Sequence, residues 1–180
     1  GAGNLLGREQ RGHIAAVGFS LYCQLLRRTV ERLRGGASLP LPPAAECRLD
    51  LDFLRYVPDS DDPGAVGLPA AWIEEESLKL AEYRRVASTV TEEEIAAIRR
   101  EWRDRFGPLP PPAERLLRMA AIRIRAARLG FVRLETRAEK IHLIRPSGDR
   151  HLIRGRLPRF RSSDPTDRLQ ELLDLLPPRA

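Results

Sequence analysis

A chain of 180 residues, 42% apolar and 31% charged, has the make-up of one ordinary globular domain with an appendage, which excludes a disordered polymer. No apolar run reaches the ~18 residues of a membrane-spanning helix, and the start, Gly1-Ala2-Gly3-Asn4, lacks the basic n-region and apolar core of a signal peptide. The formal net charge of +6 favours an acidic partner.

The charge is unevenly spread. Between 111 and 161 there are fourteen Arg or Lys and four Asp or Glu, whereas acidic clusters occupy Asp59-Ser60-Asp61-Asp62, Glu74-Glu75-Glu76 and Glu92-Glu93-Glu94. Lys79 and Lys140 are the only lysines, so the positive charge is almost all guanidinium. Such a bias suits phosphate and carboxylate forks, and codon composition produces it equally well. Cys23 and Cys47 sit in unrelated segments, the pattern of reduced thiols in a cytoplasmic protein.

In chain order, the Gly-rich opening reads as the start of an excised fragment. Leu21, Leu25, Leu26, Val30 and Leu33 recur at helical spacing and predict a helix over 19–33, stopped by Gly35-Gly36. Residues 35–45 form a Gly/Pro linker. Cys47, Leu49, Leu51 and Phe53 alternate with polar residues and predict a half-buried strand. An acidic loop over 57–69 precedes a helix over 73–87 with Leu80, Tyr83 and Ala87 among its inward positions. Thr91-Glu92-Glu93-Glu94 is a capping box, in which the Thr and Glu side chains each satisfy a free amide at a helix start. Ile95, Ile98, Trp102 and Phe106 then form one stripe, and Gly107-Pro108 ends it. A helix over 113–129 carries Leu116, Leu117, Ala120, Ile124 and Ala127 inward. Short strands are predicted near 132–134, 141–143 and 151–153. Asp164-Pro165 opens a final helix with Leu169, Leu172, Leu173 and Leu176 on one side. The expectation is an α+β fold: a helical hairpin appendage over 1–36, a linker over 37–45 and a compact domain with a small sheet and several helices over 46–180.

Catalytic chemistry is not legible. No G-x-x-x-x-G-K-[ST] loop occurs, and Gly1, Gly3 and Gly7 do not make G-x-G-x-x-G. His13, His142 and His151 have no zinc spacing with the cysteines, and His142, on a predicted strand, reads as a surface or hydrogen-bonded histidine. The acidic triplets lie at helix starts, where they oppose the dipole favourably. No catalytic residue, metal ligand or cofactor site is assigned.

Two segments carry more than a structural reading. Gly7-Arg8-Glu9-Gln10-Arg11-Gly12-His13-Ile14 is either a plain turn or a loop that meets phosphates or a neighbouring domain. In Glu101-Trp102-Arg103-Asp104-Arg105-Phe106-Gly107-Pro108, Trp102 and Phe106 point inward and leave Glu101, Asp104 and Arg105 together outside. Spacing alone favours a self-paired solvated face over a docking patch.

Residues 1–14, with Val17-Gly18-Phe19 and Leu21-Tyr22-Cys23, resemble the translocation motif of bacterial transcription-repair coupling factors, a motif with a related form in the RecG helicase. Tyr83-Arg84-Arg85-Val86-Ala87-Ser88, Glu92-Glu93-Glu94, Asp104-Arg105-Phe106-Gly107-Pro108-Leu109-Pro110 and Leu129-Gly130 resemble the C-terminal domain of the same family, which RecG lacks. The similarity covers most of 1–145 and weakens beyond. It implies that Arg8, Gln10, Arg11, Gly12 and His13 belong to a hairpin linking ATP hydrolysis to movement along double-stranded DNA. ATP and magnesium would be held by the parent protein's motor motifs. It further implies that the C-terminal domain clasps, through Glu101, Asp104 and Arg105, an N-terminal module resembling UvrB. That clasp would mask the surface that recruits UvrA until RNA polymerase is engaged, and it reverses the reading of the charged face. Arg11, where the family has a small residue, and Ala70-Ala71-Trp72-Ile73-Glu74 depart from the family pattern. The alternative reading is a nucleic-acid-binding module built on the Arg-rich 111–161 segment. No membrane partner is expected.

Overall fold

The computed structural model describes residues 47–178. The predicted helix over 19–33, the linker and the loop around Gln10 lie outside the described residues. Within them the order is β1 (Arg48–Asp50), α1 (Glu76–Ser88), α2 (Glu92–Phe106), α3 (Pro111–Arg128), β2 (Arg133–Arg137), β3 (Lys140–Ile144) and α4 (Pro165–Leu175). The expected α+β architecture is present.

Local chemistry sets the helix ends. At α2 the Thr91 hydroxyl accepts the Glu94 amide at 3.2 Å and the Glu94 carboxylate accepts the Thr91 amide at 3.1 Å, so the capping box closes in both directions. Ile95, Ile98 and Trp102 are buried at three- and four-residue intervals, and Gly107 terminates the helix at φ 86°, a conformation that penalises any side chain. Pro111 occupies the first position of α3, where its missing N–H would have had no partner. Asp164 caps α4, accepting the Thr166 and Asp167 amides at 2.8 and 3.0 Å.

Helix α3 is the central element. Ala113, Leu116, Leu117, Ala120, Ile122, Ile124 and Ala126 are buried, an apolar arc too wide for a helix with one covered face, and α1, α2 and α4 all pack on it. Arg125 fastens α4: its guanidinium donates to the Leu173 and Leu176 carbonyls at 3.0 and 3.2 Å, satisfying acceptors at the free C-terminal end of that helix. The other side of the core is a three-stranded sheet in the order β1-β2-β3, with β1 parallel to β2 and β2 antiparallel to β3. Leu134, Ile141 and Leu143 turn inward, and Leu49 meets them from β1.

Several expectations are corrected. The strand expected over Cys47–Phe53 ends at Asp50, because Asp52 leaves the ladder to hold the β2–β3 turn. Its carboxylate accepts the Thr136 hydroxyl at 2.6 Å and the Ala138 amide at 2.7 Å, and Ala138 is strained at φ 55°. The helix expected from 73 begins at Glu76, since Trp72 and Ile73 both donate to the Pro69 carbonyl in a turn. The helix expected from 113 begins at Pro111. On α1 the buried residues are Glu82 and Val86, while Leu80, Tyr83 and Ala87 are half-buried. His142 is 9% exposed and its Nδ1 has no hydrogen-bond partner among the described residues, so within them it is neither a surface nor a fully satisfied histidine. Near 151–153 there is an isolated bridge and no strand.

Candidate functional site

The α1–α2 face is built on a buried carboxylate. Glu82 is 5% exposed, and a carboxylate in that position must be hydrogen-bonded or lose its charge. The indole N–H of the fully buried Trp102 donates to it at 2.8 Å. Arg85, one turn along α1, lies 3.6 Å away, and Arg105 from α2 lies at 3.9 Å. Beneath this group Trp72 meets Trp102 and Phe106 edge-on at 5.6 and 5.5 Å, a preferred aromatic geometry that sets the floor rigidly.

The three expected clasp residues stand on that floor. Glu101 is exposed and binds the Arg85 guanidinium of α1. Their hydrogen bond pushes Arg85 up and holds Glu101 below the usual carboxylate range, with Coulombic attraction adding to both. Arg105 is half-exposed, with its guanidinium 5.1 Å from the Phe106 ring centre as well as near Glu82. Asp104 is exposed and forms no ion pair among the described residues. The solvated face expected from spacing would pair within α2. Instead an alternating relay, Glu101–Arg85–Glu82–Arg105, crosses between two helices and leaves one carboxylate open. Sequence reasoning missed Glu82, Arg85 and Trp72 as parts of this face. The Glu82/Arg85 pair at i, i+3 was the available signal, and it is too common on helices to single out.

The Arg-rich 111–161 segment divides in two. On α3 the guanidinium groups are turned to structural partners. Arg118 pairs with Glu114, while Arg123 donates to the Ala87 and Thr89 carbonyls. Arg115 donates to the Ala65 carbonyl, and Arg125 pairs with Glu92. A groove of about 400 Å³ between α2 and α3 has Arg99, Arg118 and Arg125 on its walls. Each of the three is already paired, Arg99 and Arg118 sharing Glu114 and Arg125 holding Glu92, with Arg99 meeting Glu114 through two nitrogens at 3.0 and 3.2 Å. Apart from Lys140 on β3 itself, the cations of this segment that lack such partners among the described residues lie beyond β3.

Arg8, Gln10, Arg11, Gly12 and His13 lie outside the described residues. Among the described residues no group of three or more His, Cys, Asp or Glu is placed to hold a metal, and no helix is long and apolar enough to cross a membrane. Cys47 is buried, and burial pushes its thiol up to about 12, far from the reactive thiolate range.

Residues 64–151 match the model of the TRCF domain. The chain is 35% identical to the transcription-repair-coupling factor of Escherichia coli strain K12 over 185 residues, covering 97% of this chain and 15% of that protein. It is 36% identical to that of Staphylococcus haemolyticus strain JCSC1435 over 143 residues, 79% of this chain and 11% of the relative. It is 37% identical to that of Mycobacterium tuberculosis strain CDC 1551 over 129 residues, 69% of this chain and 10% of the relative. A crystal structure of the C-terminal domain of a transcription-repair coupling factor covers 54% of each chain at 20% identity with a TM-score of 0.46. The chain thus spans between a tenth and a sixth of the length of these relatives. It belongs to the transcription-repair coupling factor family and contains the TRCF domain.

Proposed function

We propose that this chain is a coupling and regulatory part of a protein that acts in transcription-coupled DNA repair, and that it has no active site of its own. In the parent, an ATP-driven translocase on double-stranded DNA displaces stalled RNA polymerase and recruits excision repair. Residues 1–36 link hydrolysis to movement there, with Gln10 and its neighbours as the coupling loop. The α1–α2 face holds an N-terminal UvrB-like module closed and so hides the surface for UvrA.

The observation that carries this reading is the alternating relay Glu101–Arg85–Glu82–Arg105 on an aromatic floor, with Asp104 left open beside it. A pre-ordered charged face gives specificity and salt sensitivity at a reversible contact, because its side chains lose little freedom on docking. A reversible clasp needs a closed state favoured by only a few kcal/mol, so that a competing partner opens it.

The test is calorimetric titration of the chain into the isolated N-terminal module of the same protein. Wild-type binding that Asp104→Arg weakens at least about tenfold supports the clasp, since reversal sets two like charges against each other. In the full-length protein the same variant should raise UvrA capture and ATPase activity in the absence of RNA polymerase. A folded Asp104→Arg chain that binds as the wild type does would refute the assignment.

A further inference from the structure

After β3 the chain returns along the open edge of the sheet. Arg150 bridges Ile144 and Arg159 bridges Lys140, both antiparallel, with the His151 amide donating to Leu143 O at 2.8 Å and the Ile141 amide to Pro158 O at 2.9 Å. Between those anchors the returning strand has more residues than β3 can match. The excess leaves the edge as a finger over 151–158. Ile153 and Arg156 exchange both backbone hydrogen bonds at 2.9 and 3.1 Å across a two-residue turn, Arg154-Gly155, with φ of 51° and 75°. Positive φ at both turn positions is the geometry that matches the twist of a tight hairpin. At the root, Phe131 is held between the Arg145 guanidinium, 4.9 Å from its ring centre, and the His151 ring at 5.5 Å. The finger is therefore a pinned ribbon.

Its surface is unlike the rest of the described domain. From 140 to 161 there are seven cations and one carboxylate, Asp149, which is engaged with Ser147. Arg150, Arg154, Arg156 and Arg161 are exposed, and their guanidinium groups make no ion pair or hydrogen bond among the described residues, although the Arg161 backbone amide donates to the Glu171 carboxylate at 2.9 Å. Leu152 and Ile153 are 49% and 41% exposed, beside the cations. On α3, by contrast, the arginines are turned inward to carboxylates and carbonyls.

We propose that this finger is a contact site for the sugar-phosphate backbone of double-stranded nucleic acid, distinct from the α1–α2 face. Unpaired guanidinium groups on a narrow two-stranded ribbon can reach phosphates on both sides of a groove, and apolar side chains beside Arg suit the walls of a minor groove. Single strands are disfavoured, because the nearby aromatic rings, Phe131 and Phe160, are buried and give no platform for base stacking. Recognition is by charge and shape and does not read sequence.

The experiment is fluorescence anisotropy of a labelled mixed-sequence 20-base-pair duplex titrated with the full 180-residue chain, repeated across salt concentrations. The triple variant Arg150→Gln/Arg154→Gln/Arg156→Gln is compared with a control, Arg100→Gln/Arg103→Gln, which removes two exposed arginines of α2. The expected result is binding in the micromolar range at low salt, weakened at least about tenfold by the triple variant. Its log–log salt slope should fall by roughly 2 to 3, about 0.9 for each phosphate that is no longer neutralised. The control should retain wild-type affinity within about twofold. Absence of duplex binding, an unchanged slope in the triple variant, or an equal loss in the control would overturn the proposal. So would displacement of the chain by polyglutamate as effective, charge for charge, as unlabelled duplex, which would make the finger a dock for an acidic protein. Circular dichroism melting of both variants shows that they are folded, and the exposed tip positions make that the expected outcome.

Discussion

Glu82 offers the sharpest test of how the α1–α2 face is held together. Replacing it with leucine keeps side-chain bulk but leaves the buried Trp102 N–H, now 2.8 Å from an acceptor, with none. Hydrogen bonds to a charged group contribute about 1.5–3 kcal/mol, and an orphaned buried donor loses that in full. The flanking arginines add less: at 3.6 and 3.9 Å, with side chains 37% and 51% exposed, each pair is worth at most about 1 kcal/mol because water replaces the partner. Leucine returns part of the sum through apolar burial. The net expectation is about 2–3 kcal/mol of destabilisation for Glu82→Leu. For Glu82→Gln it is about 1 kcal/mol, because an amide oxygen still faces the indole. Urea unfolding should move the midpoint with the slope m unchanged. A double-mutant cycle with Trp102→Phe should give a coupling of at least about 1 kcal/mol. If Gln and Leu cost the same, or the coupling is under about 0.5 kcal/mol, the carboxylate–indole bond is not what secures the two helices.

Three further outcomes follow from the geometry. Gly67 sits at φ 131°, and a Cβ there would stand 2.6 Å from the Tyr83 hydroxyl that accepts the Leu68 amide. Gly67→Ala should therefore cost about 2–4 kcal/mol by thermal melting, from backbone strain plus a displaced hydrogen bond. Asp52→Ala removes the acceptor of both the Thr136 hydroxyl and the Ala138 amide and should cost about 2 kcal/mol in urea. Ala138→Gly, which relieves φ 55°, should offset part of that loss in the double variant. His142 is held below its ordinary pKa, first by burial and then by repulsion from Arg150, with Glu135 opposing and Lys140 and Arg137 adding to the repulsion. The unfolded chain takes up the proton first, so this stability is complete above about pH 6.5 and is lost as pH falls through the lower folded value. Wild type should lose more stability between pH 7.5 and 5.5 than His142→Gln, measured by urea midpoints at each pH, and equal losses would contradict the assignment.

What was legible in the sequence divides along physical lines. The ends of α2 were readable because a capping box and a Gly-Pro stop act within a few residues of each other. The Leu stripe of α4 and its Asp164 cap were readable for the same reason. The length of β1 was not, since Asp52 leaves the ladder to serve a turn more than eighty residues away. Glu82 was invisible as a core position because a carboxylate reads as solvated until a buried indole is placed against it. The charged trio on α2 is exposed, as its spacing implies, but its partner stands on another helix: Arg85, on α1, takes Glu101. In the Arg-rich segment composition gave a uniform basic stretch, and only folding distinguishes arginines bound to carbonyls on α3 from those left open on the finger.

The pairing of β1 with β2 has a mechanical side. The two strands run parallel, in register from Arg48↔Arg133 to Asp50↔Glu135, and the first of them is the point where the chain enters the described domain. A force applied along the axis of β1 loads its ladder in shear, so the rungs share the force and do not peel one at a time. Just past the ladder, Arg137 grips Asp50 at 2.7 Å and Asp52 grips the hairpin turn, as rivets at the end of a lap joint. Such a joint would pass tension applied at β1 into the rest of the core before the strand gave way.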